Sequence, residues 1–101
     1  MNGVVHWTIP ADHPAFAGHF PDTPIFPGVM LLDTVIHTVA AATGIALGVC
    51  EIQSVKFLSP ARPGDDLVIR HIRSTNGKIR FEILAGVHKI ASGTIVPRYP
   101  P

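Results

Sequence analysis

"GVMLLDTVIHTVAAATG", residues 28 to 44, is the stretch that most limits what this chain can become. It contains no proline, ends on a glycine and suits a helix of about four turns. Val29, Met30, Leu31, Leu32, Val35, Ile36, Val39 and Ala40 carry apolar character all the way round; only Asp33, Thr34, His37, Thr38 and Thr43 break it. A helix apolar on nearly every face must be wrapped by other structure rather than laid on a surface. The expected architecture is therefore one central helix with something curved around it.

The flanking segments supply the wrapping. "VVHWTI" (4–9) alternates Val5, Trp7 and Ile9 against Val4, His6 and Thr8, a first strand ended by Pro10. Residues 10 to 28 hold prolines at 10, 14, 21, 24 and 27, so regular structure cannot run far. At most "DHPAFAG" makes one helical turn, with Pro14 at its first position. After the helix come strand patterns at 49–58, 66–73, 78–86 and 89–96. Asn76-Gly77 marks a hairpin turn between the second and third of these, and a short turn near Val87-His88 precedes the last. Strand, proline-rich loop, buried helix, then a meander of four strands predicts an α+β fold: a curved antiparallel sheet around one long helix.

Size and charge narrow the function classes. At 101 residues one domain, 1–101, is expected, and it is small for burying a full core alone. Hydrophobic residues make up 47% and charged ones 15%, below the roughly 25% usual for soluble domains. Apolar surface is then left to hide, and self-association is the simplest way to hide it. A net charge of +1 with scattered cations offers no electrostatic case for nucleic acid. Cys50 is the single cysteine, which excludes an internal disulfide and suits a small core residue in a reducing compartment. No basic start with a long apolar core opens the chain, and the uncharged run 34–50 falls short of a membrane span. A soluble, cytoplasmic protein is expected. The six histidines show no metal-ligand spacing with cysteine or carboxylate, so neither a metal nor a cofactor is assigned.

Three residues point to chemistry. Asp33, in the second turn of the apolar helix, is expected to be buried, which would disfavour its charged form and keep a proton available, as a general acid requires. His19, in "HFPDTPIFPG", is the side chain able to accept a proton near neutral pH, and Pro21, Pro24 and Pro27 would hold it still relative to the helix start. The open amides of Gly28 and Val29 form a site for a developing oxyanion, with glycine allowing close approach. Base, acid and oxyanion site beside apolar walls suit dehydration: loss of a proton next to a carbonyl and of a hydroxyl one carbon further. Each residue also has a plainer reading. His19 and Asp33 taken singly fit packing or local hydrogen bonding, and Gly28 fits a helix-start glycine. Phe16, Phe20, Phe26, Trp7 and Met30 fit the core, though Phe20 and Phe26 flank the site. Arg62, Arg70, Arg73, Lys78, Arg80 and Lys89 fit a solvated face.

The segment "AGHFPDTPIFPGVMLLD" closely resembles the motif of hotdog-fold 3-hydroxyacyl-(acyl carrier protein) dehydratases, of the form G-H-F-P-x-x-P-I-x-P-G-V-x-x-x-E/D. "IPADHPAF" before it and "SVKFLSPARPGD" after it are similar to the same family in the same order. The resemblance implies a hotdog fold and conversion of a (3R)-3-hydroxyacyl thioester to the trans-2-enoyl product in fatty acid or polyene-type biosynthesis. It implies His19 and Asp33 as catalytic residues and the Gly28 amide as the oxyanion donor. It further implies a homodimer whose sites draw the histidine and the carboxylate from different subunits, with substrate delivered on phosphopantetheine by an acidic acyl carrier protein. Three departures stand out. Asp33 is the carboxylate of the isomerising branch, where the purely dehydrating branch more often has glutamate. His37 replaces a common glutamine one turn after Asp33, where it would tune the carboxylate, alter substrate choice or simply pack. Leu58 and Ser59 occupy places often basic, with Arg62 the candidate replacement. The alternatives are a hotdog thioesterase, in which a carboxylate activates water, and a non-catalytic carrier-binding or heterodimer-completing subunit.

Overall fold

In the computed structural model, which describes residues 2–16 and 25–98, the alternating segments do pair. Strands β1 (Asn2–Thr8), β2 (Cys50–Phe57), β3 (Asp66–Arg73), β4 (Ile79–Ala85) and β5 (His88–Pro97) form one sheet in the order β1-β3-β4-β5-β2. Every neighbouring pair is antiparallel. The sheet lines one helix, α1 (Gly28–Thr43), and a single 3-10 turn at Pro14–Phe16 follows β1. The proline-led turn forms where the sequence places it, closed by the His13 ring, whose Nδ1 accepts the Ala15 amide at 3.0 Å. His19, Phe20 and the chain end from residue 99 lie outside the described residues.

Period-2 patterning sets which face of each strand is inside. Leu67 and Ile69 of β3, Ile79, Phe81 and Ile83 of β4, and Ile90, Ala91 and Ile95 of β5 meet Leu31, Val35 and Val39 of α1 in one core. Each of those aliphatic side chains contributes about 1.5–3 kcal/mol on burial. In β2 the inward positions run Cys50, Ile52, then Val55 and Phe57, because the register shifts between Ile52 and Ser54. That extra residue is a bulge, and it turns the end of the strand toward the helix start. The hairpin after β3 closes with Gly77 at φ 85. The last turn falls at Gly86-Val87, one residue earlier than expected, with Gly86 at φ 60.

The helix corrects one expectation. It is not wrapped on every side: Leu31, Val35 and Val39 make its one fully buried stripe, while Val29 stands 71% exposed. Asp33, His37 and Ala41 continue the open stripe at one-turn spacing. Val29 extends the apolar pattern onto the open side, but only the Leu31, Val35 and Val39 stripe is buried against this chain's own core. Thr34, Thr38 and Thr43 satisfy their hydroxyls by donating to carbonyls one turn back, at 2.9, 2.8 and 2.7 Å, so they interrupt the apolar surface without demanding outside partners. The helix stops at Gly44, whose φ of 75 and amide bond to the Ala40 carbonyl at 2.9 Å make a left-handed cap.

Candidate active site

The site is built from the helix start outward. Phe26 is fixed on several sides: its amide bonds to the Ala61 carbonyl at 2.7 Å, and its ring, 2% exposed, lies 5.8 Å from Trp7, 5.9 Å from Phe16 and 5.0 Å from the edge-on ring of His13. Phe26 is thus a core residue that also floors the site. Pro27 follows in extended geometry and gives the helix no side-chain cap. Its carbonyl takes the amides of Met30 and Leu31 at 3.0 and 3.1 Å. The amides of Gly28 and Val29 have no partner among the described residues. Gly28 borders an apolar cleft of about 450 Å³ with Phe26, Leu31, Phe57, Leu58 and Ala61.

Phe57 is the residue that sequence reasoning missed. Its ring lies against the Gly28 backbone so closely that a Cβ at position 28 would sit 2.8 Å from Cζ and 3.0 Å from Cε1. A side chain at position 28 would make this ring shift. The signal was present in the strand pattern, since Val55 and Phe57 share the inward face once the bulge is counted.

Asp33 departs from expectation. Its side chain is 61% exposed, so the burial that would have favoured its neutral form is absent within one chain. The cause is its place on the open stripe of α1. His37, one turn on, brings Nδ1 to 3.3 Å from an Asp33 carboxylate oxygen and 2.8 Å from the Asp33 carbonyl. A carbonyl only accepts, so Nδ1 carries the hydrogen in this bond. Asp33, His37, Trp7, Thr34 and Thr38 line a shallow hollow of about 290 Å³. It shares no residue with the Gly28 cleft. Five residues along a helix amount to a turn of about 140° and a rise of about 7.5 Å, which is why the two hollows open on different sides. The structure therefore brings together Asp33 with His37, and Gly28 with Val29 and Phe26, but not Asp33 with Gly28.

The other histidines have plain places. His6 and His88 are exposed on the sheet, and His13 closes the 3-10 turn. His71 is buried on the inner face of β3 with its Nε2 unpartnered, and burial lowers its pKa below the ordinary 6.5. Of the cations, Arg70 and Lys89 flank Glu82 at 3.6 and 3.1 Å on the outer sheet face. Arg62 is exposed beside the loop that carries Leu58, and its amide bonds to the Asp65 carboxylate at 2.9 Å.

Comparison with known proteins places this arrangement. A family model described as ApeI-like, ApeI dehydratase, matches residues 2–94. The 3-hydroxyacyl-(acyl-carrier-protein) dehydratase FabZ of Psychromonas ingrahamii is 33% identical over 87 residues, covering 75% of this chain and 58% of that protein. The corresponding FabZ of Chlamydia muridarum is 30% identical over 109 residues, covering 91% of this chain and 69% of that protein. The chain thus spans between 58% and 69% of the length of these curated relatives. Among solved structures, the dehydratase heterocomplex ApeI:P from Xenorhabdus doucetiae superposes with a TM-score of 0.78 at 25% identity, covering 96% of this chain and 88% of that one. The five-stranded antiparallel sheet around one helix is the hotdog fold. On the family match across nearly its whole length, the chain belongs to the ApeI-like dehydratase family.

Proposed function

We propose that this protein dehydrates (3R)-3-hydroxyacyl thioesters, carried on the phosphopantetheine of an acyl carrier protein, to trans-2-enoyl thioesters. The observation that carries the reading is an apolar cleft at Gly28, where the amides of Gly28 and Val29 have no partner among the described residues, in a chain of a dehydratase family. The thioester oxygen accepts from those amides, which stabilise the enolate-like charge as it develops. His19 takes the proton from the carbon next to the carbonyl. The bond from the next carbon to its hydroxyl breaks as Asp33 protonates the departing oxygen, and water leaves. The proton on His19 then returns to Asp33 through solvent, so no cofactor is consumed.

In this reading the two hollows are halves of two different sites. The Gly28 cleft of one subunit meets the open Asp33 stripe of a second copy in a homodimer, which also covers Val29 and returns Asp33 to an apolar setting. Support comes from the separation of the hollows within one chain and from the exposure of Val29 between them. The free thiol of Cys50 suits a reducing compartment, and the reading places the enzyme in the cytoplasm. The test is incubation of the purified protein with a panel of 3-hydroxyacyl carrier-protein thioesters, read by mass spectrometry. Products lighter by one water are expected, with turnover lowered about 10²–10⁴-fold in His19→Ala. Release of free thiol in place of water, or wild-type turnover by His19→Ala, would overturn it.

A further inference from the structure

The floor of the Gly28 cleft is immobile, because Phe26 and Leu31 are 2% and 3% exposed and belong to the core. Its roof is different. Phe57 is the last residue of β2, and it is 51% exposed. A half-exposed aromatic ring at the end of a strand gives up little packing when it turns. Three of its ring atoms lie within 3.2 Å of where a Cβ at Gly28 would be, so the ring covers the backbone beside the Gly28 amide. A cleft of about 450 Å³ falls within the roughly 300–1,000 Å³ of small-molecule sites, and this ring is the aromatic wall that stands beside Gly28.

From this geometry we infer that Phe57 is a specificity-determining residue, selecting acyl groups by their bulk at the carbons next to the thioester carbonyl. The inference rests on the proposed reading of the Gly28 amide as the thioester site. A thioester oxygen on that amide places the first acyl carbons, not the far end of the chain, against the ring. Straight acyl groups pass beneath it. A branch on the carbon next to the carbonyl competes with the ring for the same volume, and one methyl group so placed is worth about 10–200-fold in discrimination.

The test uses hexanoyl- and 2-methylhexanoyl-pantetheine, which lack the 3-hydroxyl and so cannot be dehydrated. Their Kd values are measured by calorimetry on wild type, Phe57→Ala and Phe57→Leu. The wild type is expected to bind the straight thioester at least about tenfold more tightly than the branched one. The ratio should fall close to one in Phe57→Ala and to an intermediate value in Phe57→Leu, the variant that keeps an apolar side chain if the alanine fails to fold. Equal ratios in wild type and folded variants, or no binding of either thioester by the wild type, overturn the assignment. If the wild type binds with the stated selectivity yet dehydrates no hydroxyacyl thioester, the proposed reaction fails while the role of Phe57 stands.

Discussion

His71 shows how a single side chain in this sheet ties stability to pH. Its ring faces inward from β3, 4% exposed, and lies over Gly3 of β1, where any Cβ would collide with it. On the neighbouring pair the Phe81 ring lies over Gly93 in the same way, with a would-be Cβ 2.7 Å from its Cζ. Two rings in the middle of the sheet are thus received by glycines on flanking strands. Burial makes the charged form of His71 costly and holds the folded pKa below 6.5, and its Nε2 has no hydrogen-bond partner among the described residues. The unfolded chain therefore binds this proton more readily than the folded one. The stability that His71 contributes is full above pH 6.5 and is lost as pH falls from there through the lower folded value. Melting temperature followed between pH 7.5 and 5 should fall more steeply for wild type than for His71→Leu. Parallel curves would show that another group carries the dependence.

Residue-level reading of the sequence succeeded where spacing alone decides a contact. Asp33 and His37, four apart on a helix, do meet. It failed for Asp33 burial, because a sequence does not say whether an apolar helix face is covered by its own sheet or by another chain. It failed for Phe57 because the strand pattern gives the inward face of the residue only once the bulge is counted, and does not give its partner Gly28, 29 positions away in sequence.

At the scale of elements, α1 was legible end to end, since proline-free sequence between Gly28 and Gly44 leaves few other conformations. The two glycines do opposite work. Gly28 makes room for a ring, whereas Gly44 has nothing within 4 Å of a would-be Cβ and is needed only for its left-handed backbone. Gly44→Ala should therefore cost about 1–2 kcal/mol in urea unfolding from backbone strain alone, with Gly44→Asn costing less. Equal stability of wild type and Gly44→Ala would mean that the helix end rearranges. The strands were legible by alternation, and the hairpin at Asn76-Gly77 by its turn chemistry. The bulge in β2 was not, although the jump from Ile52 to Val55 in the inward positions carries it.

For the whole molecule, low charge content pointed to hidden apolar surface, and the structure shows where that surface lies. Val29, Val49, Phe57 and Leu58 are all more than half exposed, and β1 and β2 are the edge strands of the sheet. The family and fold were readable from one motif and the order of elements. The proposed dehydration draws each site from two chains. That claim is tested most directly by subunit mixing. His19→Ala and Asp33→Asn, each inactive alone, are combined in equal amounts, and exchange between subunits is verified by native mass spectrometry. If each site takes His19 from one subunit and Asp33 from the other, half of the dimers are mixed and each mixed dimer holds one intact site, so about a quarter of wild-type dehydration returns. No recovered activity after confirmed exchange would place both residues of a site on one chain and contradict the account.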